Sequence, residues 1–399
     1  MFPNGSLPQE YHLAAEVCAA IAATCGLAVS SKHLCRNVVS ICERWKIPKD
    51  VAGASLLSIA TAGPEITVSV VASVSGTQRG TVLAVCVMLG SGVIACLLIP
   101  GLMCFRSVHP IVLEIEPLFR EVRYYFILLV ILSATTVMAS GLWLRFAAAC
   151  MVAVYITYVY TLTRAAAPCT DDREEDPLIV VRSPSHYIDD SGGSTCSGCT
   201  LDSATSGLSD LAQDDTSTVM TVASFVAWPV DASLNTLSPQ HRPGHDFLGC
   251  VASVVWMSVS AFVITKVVDT WVTGHPGFVA MFVVSLTAEL PDISNALRLT
   301  SMSESSMAMS NALGAQVANL GLGLGLVWLL QPPHFQGHPL FLQAALVALQ
   351  WSLLAFTTTF VISWRLKGAL TRGAGVALLM MYGLVFLALS AVYALDVLT

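Results

Sequence analysis

The sequence predicts an all-α polytopic membrane protein with about ten transmembrane helices in two five-helix repeats of inverted topology. Composition, the recurrence of apolar stretches long enough to span a bilayer, and a motif that occurs twice lead to this expectation. Of 399 residues, 55% are hydrophobic and 11% charged, and a soluble core cannot absorb so much apolar surface. The net charge of -7 comes mainly from one polar segment, so it indicates no nucleic acid. The partner this composition requires is the lipid bilayer.

Charge-poor stretches of about 20 residues can each cross about 30 Å of hydrocarbon as a helix. They place spans near 10–31, 50–75, 80–105, 122–140 and 143–163, then near 247–267, 274–298, 307–330, 339–363 and 374–395. The first transmembrane half therefore covers 1–163 and the second 247–399. Between them, 164–246 is rich in Ser, Thr, Asp and Gly and reads as a disordered loop. Its acidic run Asp171 to Asp176 lacks cation-ligand spacing, and the Cys196/Cys199 pair has no metal-binding partners in sequence. His241 and His245 are read as solvated. The remaining cysteines lie mostly within spans, where small apolar packing is the default role.

Lys and Arg set the orientation. With the central loop cytoplasmic, 16 of the 19 basic residues fall inside and only Arg79, Arg145 and Lys266 outside. Both termini then face away from the cytoplasm, in a plasma membrane or an organelle membrane. The start, "MFPNGSLPQEYH", has no basic region followed by a cleavage site, so no removable signal is expected. Asn4 to Ser6 match a glycosylation acceptor on the side where that chemistry occurs.

The repeated motif joins Pro to an acid within a span. "SIATAGPEITVS" (Ser58 to Ser69) carries Pro64 and Glu65, and "VVSLTAELPDISNALRLTS" (Val283 to Ser301) carries Pro291 and Asp292. About 25 residues later comes a Gly-containing polar break, with Gly90 in "MLGSGVIA" and Gly314 in "ALGAQVAN". These two repeats, at about 50–105 and 274–330, enter the membrane from opposite faces. That is the arrangement of secondary transporters, whose interrupted helices meet near the midplane around a cavity. Proline removes an amide donor and frees a carbonyl one turn earlier, and carboxylate and carbonyl oxygens together are what a hard cation such as Ca2+ or Na+ needs. A mid-membrane carboxylate costs at least about 2.5 kcal/mol. A divalent cation between two such groups relieves both the desolvation and the repulsion.

These residues also carry a family resemblance. "ICERWKIPKDVAGASLLSIATAGPEITVSV" (Ile41 to Val70), "EPLFREVRYY" (Glu116 to Tyr125), "LPDISNAL" and "NALGAQVANLGLGLGLVWLL" are similar, in order, to stretches of the potassium-dependent sodium/calcium exchangers of the cation/calcium antiporter superfamily. The resemblance implies an antiporter moving Ca2+ against Na+ by alternating access, with no cofactor. By position, Glu65 and Asp292 match the two acidic Ca2+ ligands, Thr61 a site whose backbone carbonyl helps bind Na+, and Ser91 a hydroxyl ligand. Asn319 matches a position that is Asp in potassium-dependent members, so K+ coupling loses its charged ligand. Side-chain oxygens of the family pattern are missing at Ala62, Ala95 and Ala315. Glu289, in "TAELPD", stands where Ser is expected; it is read as a replacement ligand, a proton carrier or a packed neutral acid. Gly321, Gly323 and Gly325 would let helices approach closely.

Two other functions remain open at this point: cation/proton exchange, motivated by Glu289 and the lost hydroxyls, and a degenerate exchanger acting as a membrane scaffold. No phosphate-cradling loop, His-rich metal site or nucleophile motif is seen, so no enzyme is expected.

Overall fold

The computed structural model describes residues 9–44, 58–74, 78–107, 109–137, 141–165, 228–236, 246–271, 277–301, 305–330 and 340–398. The glycosylation match, the acidic run, Cys196/Cys199 and His241/His245 lie outside them. Among the described residues, ten helical elements fall into two sets of five, with a short helix at 228–236 between the sets. The first is α1 (Gln9–Arg44), α2 (Ser58–Thr61 and Gly63–Val74), α3 (Gln78–Val93, Ile94–Leu98 and Ile99–Arg106), α4 (Ile115–Val137) and α5 (Gly141–Ala165). The second is α6 (Asp246–Trp271), α7 (Gly277–Val279, Ala280–Val284 and Ser285–Ser301), α8 (Ser305–Ala318, Asn319–Leu324 and Gly325–Leu330), α9 (Leu340–Lys367) and α10 (Arg372–Leu398). Among the described residues the only strand-like pairing is an antiparallel bridge between Ile111 and Leu370.

Packing repeats with the sequence. α3 touches α7 and α9 and, through its second half (Ile94–Arg106), α10, and α8 touches the corresponding α2, α4 and α5. Burial explains why α3 and α8 hold the centre: 94% of the apolar window of α3 and 83% of that of α8 lie inside the bundle, against 17% for α10. On α10 the exposed side chains Val376, Met380, Leu384 and Leu387 form one apolar face. An outer face of that kind belongs against hydrocarbon, which cannot satisfy polar groups.

Among the described residues, six helices are long and apolar enough to cross a membrane on length and composition alone: 80–106, 142–164, 246–268, 308–329, 340–367 and 372–396. Shorter apolar stretches occur at 15–31 and 277–290. α4 falls short because Arg120, Glu121 and Arg123 crowd its first turns, and α2 and α7 carry acids within their apolar stretches, at Glu65 and at Glu289 and Asp292. Several hydroxyls inside the spans return to their own helix. Ser253, Thr265 and Ser352 each donate to the carbonyl four residues back, at 2.7 to 2.8 Å.

α1 and α6 pair along their lengths and lean on α2 and α7. Their close approach needs Gly26, where a β-carbon would come within 2.9 Å of Ser260 Oγ. Within the segment expected to be a loop, residues 228–236 form a helix against this pair. Leu234 is buried, and Val230 reaches toward Gly26. His33 Nε2 on α1 lies 2.7 Å from Asp231 Oδ1, and Asp231 Oδ2 accepts from Asn235 Nδ2 at 3.0 Å. Asp231 is half exposed, so the pair contributes less than about 1 kcal/mol and positions the helix more than it stabilises the fold. Accordingly, Asp231→Ala should leave the thermal midpoint nearly unchanged while speeding amide hydrogen exchange across 228–236.

Candidate functional site

The site begins where α2 breaks. Pro64 has no amide hydrogen to give the Ala60 carbonyl, and the helix is interrupted at Ala62 before resuming as Gly63–Val74. Glu65 stands in the first turn of that second piece, where the free amides and the helix dipole favour a negative charge. The second repeat differs from the expected broken helix. Ser285–Ser301 runs through Pro291 without a break, and the irregularity is a π turn earlier in α7, at Ala280–Val284. Comparable π turns interrupt α3 at Ile94–Leu98 and α8 at Asn319–Leu324. Each adds a residue to one turn and re-aims the side chains around it.

Glu65, Glu289 and Asp292 meet inside the bundle. Their side chains are 1%, 1% and 6% exposed, and the charge of each acts on the others. The own amide of Glu65 is beside its carboxylate, yet neither carboxylate oxygen has a partner of hydrogen-bonding geometry. Glu289 is held on one side only. Its Oε1 accepts from the Ser91 hydroxyl and from Gln316 Nε2 at 2.9 Å, while Oε2 is buried without a partner. Asn319 Nδ2 lies 3.3 Å from Ser91 Oγ and 3.4 Å from Gln316 Oε1, and its Oδ1 is likewise buried and unpartnered.

A buried acceptor without a donor costs about 1–3 kcal/mol, and more when charged. Four such oxygens here, both of Glu65 and one each of Glu289 and Asn319, form a lining that lacks positive charge. Among the described residues no three His, Cys, Asp or Glu side chains close on one point as a preformed metal cluster. The acids do not converge on one point, and neutral oxygens stand among them.

Of the residues expected from sequence, Glu65, Asp292, Glu289, Ser91 and Asn319 are thus brought together. Thr61 is buried, but its hydroxyl turns back to the Ser58 carbonyl at 3.2 Å, so its side chain offers nothing to the pocket. Gln316 was missed. Its signal was its place three residues before Asn319, on the same helical face. Tyr125 was missed too: its buried hydroxyl fills the space a side chain at Gly92 would take, and Glu289 is near enough to act on it. No spacing along one helix reveals that contact.

The two repeats also interlock through matching glycines. Gly90 on α3 faces Ser285, seven residues before Asp292, and Gly314 on α8 faces Ser58, seven residues before Glu65. Gly321 and Gly323 give the close approach expected of them, with β-carbon positions 2.7 Å from Tyr155 Cβ and 2.9 Å from Ile66 Cγ1.

Comparison with known proteins agrees with this fold. Among solved structures, the H+/Ca2+ exchanger CAX aligns over 99% of this chain and 88% of its own, with TM-score 0.56 and 13% identity. The sodium-calcium exchanger NCX_Mj, soaked with Na+ and Sr2+, aligns over 92% and 97%, with TM-score 0.51 and 14% identity. At such identity the likeness is one of fold. No curated protein matches the chain. The model of a protein family described as "Sodium/calcium exchanger protein" matches residues 16–164 and 245–391, which covers both helical sets and omits the segment between them. With both helical sets matched over most of their length, the chain belongs to the sodium/calcium exchanger family.

Proposed function

We propose that this protein moves Ca2+ across its membrane against Na+ by alternating access, with Glu65, Asp292 and Glu289 as its charge set. The observation that carries the reading is the pair of buried Glu65 oxygens with no donor, facing two further acids. Cations are the partners that such oxygens lack. Three carboxylates are neutralised by three Na+, or by one Ca2+ with one monovalent ion, so either load makes the site neutral and the empty site alone stays charged. A charged site resists passage through a low-dielectric intermediate, which supports strict exchange over leak. Ser91, Asn319 and the Thr61 carbonyl would complete the coordination. Asn319 offers an uncharged amide, which favours exchange without K+.

The proposed domains are the two transmembrane halves, 1–163 and 247–399, joined by the 164–246 segment. The test is isotopic Ca2+ uptake into proteoliposomes holding the purified protein, with Na+, K+ and pH gradients varied independently. Uptake is expected to follow the outward Na+ gradient and to ignore K+. Glu289→Gln should retain Ca2+ binding while changing the number of counter-ions moved per Ca2+. Uptake indifferent to Na+ and driven by a pH gradient would instead make the protein a cation/proton exchanger. The feature that favours that second reading is Glu289 Oε2, buried without a partner and so open to a proton.

A further inference from the structure

The pseudo-symmetric ends of the pocket differ in chemistry. At Gly90 the space is closed: a β-carbon there would collide with the Met281 carbonyl, and the Ser285 hydroxyl is already committed to the Val87 and Ala280 carbonyls, each at 2.9 Å. At Gly314 the corresponding point is surrounded by side-chain oxygens from three helices. Tyr158 OH stands 3.0 Å away, Ser58 Oγ 3.3 Å and Glu121 Oε2 3.8 Å. Glu121 is 1% exposed. Its Oε1 is held by Arg120, through Nε at 3.3 Å and Nη2 at 3.0 Å, while Oε2 is buried and without a partner of hydrogen-bonding geometry, the Tyr158 hydroxyl lying beside it. Nothing in the central pocket uses this carboxylate.

We propose that Glu121, Tyr158 and Ser58 form a transit station for the transported cation, between the membrane face bearing the first turn of α4 and the central acids. The inference rests on the exchanger reading above. Ser58 is seven residues before Glu65, about 10 Å along a helix, and Gly314 is two residues before Gln316, so the elements that build the central pocket also build the station. The oxygens stand farther from the Gly314 point than the roughly 2.4 Å of a direct ion contact, and Arg120 cancels part of the carboxylate charge. Both features make for loose binding, and a site on a path must release what it takes in.

Ca2+ uptake measured in vesicles oriented in both senses tests the station. Glu121→Gln is expected to raise KM for Ca2+ about tenfold at the face of the α4 first turn, by removing local attraction for cations, and to leave KM at the other face unchanged. Ca2+-dependent thermal stabilisation of the purified protein, which reads the central pocket, should persist in this variant. Arg120→Gln, which removes a competing cation, should lower the same KM. A merely structural pair would not give opposite signs for its two halves. If Glu121→Gln does not accumulate, Glu121→Asp and Tyr158→Phe read the same asymmetry between faces. Equal effects at both faces, or a change in maximal rate alone, would overturn the station while the exchanger reading stands. Absence of Ca2+ flux in the unaltered protein would overturn both.

Discussion

Replacing Glu65 by Gln is expected to abolish Ca2+ exchange, and Asp292→Asn should do the same. On the proposed function each substitution removes a charged ligand from a buried site, where loss of one member of a charge pair costs about 3–5 kcal/mol, or two to four orders of magnitude in affinity at about 1.4 kcal/mol per tenfold. The sign for stability is opposite. Without ions the three carboxylates repel one another and neither oxygen of Glu65 has a donor, so Glu65→Gln should leave the ion-free protein as stable as before or more so. Thermal melts with and without Ca2+ separate the two effects: the ion-free midpoint should hold or rise while the Ca2+-induced increase disappears. A residue needed only for packing would lower both. Ca2+ flux unaffected by both substitutions would mean that the chain acts through other parts, as a membrane scaffold, and that the acids serve the fold.

The parts of this site legible in the sequence are those that break a local rule. Pro64 beside Glu65 and Pro291 beside Asp292 contradict an apolar span, and the duplication shows that the contradiction is not accidental. Gly90 and Gly314 were legible for the same reason. The contacts between repeats were not. Gln316 reaches Glu289 only because α7 and α8 lie side by side, and Tyr125 enters the space left by Gly92 across a third helix. Glu121 looked like one charge among several at the start of α4, and its burial depends on the surrounding α5, α8 and α2 side chains. The helix at 228–236 was hidden by the polar composition around it, although Val230 and Leu234 stand one helical turn apart. At Pro291 the expectation failed in the other direction. Proline removes one hydrogen bond without always ending a helix, and Ser285–Ser301 continues through Pro291 while packed against α8 and α3.

The second large effect is on folding. Gly90→Ala should destabilise the protein by about 3 kcal/mol or more, because the new methyl group meets the Met281 carbonyl, a backbone atom that cannot rotate away. Relief requires α3 and α7 to separate at the π turn of α7, where Ser285 ties the helices by donating to the Val87 carbonyl. The matching Gly314→Ala meets only side-chain oxygens, at 3.0 Å and beyond, which can shift by a few tenths of an ångström at a cost below about 1 kcal/mol. Thermal midpoints and monodispersity in detergent should therefore rank Gly90→Ala far below Gly314→Ala. Transport should rank them differently. The folded Gly314→Ala protein places a methyl group among Ser58, Tyr158 and Glu121, so its defect should lie in Ca2+ uptake and be confined to one face. Whatever fraction of Gly90→Ala folds should show no preference between faces. Two glycines equivalent by repeat would then be separated by what each approaches, a carbonyl that locks two helices or a cluster of oxygens on the ion's path.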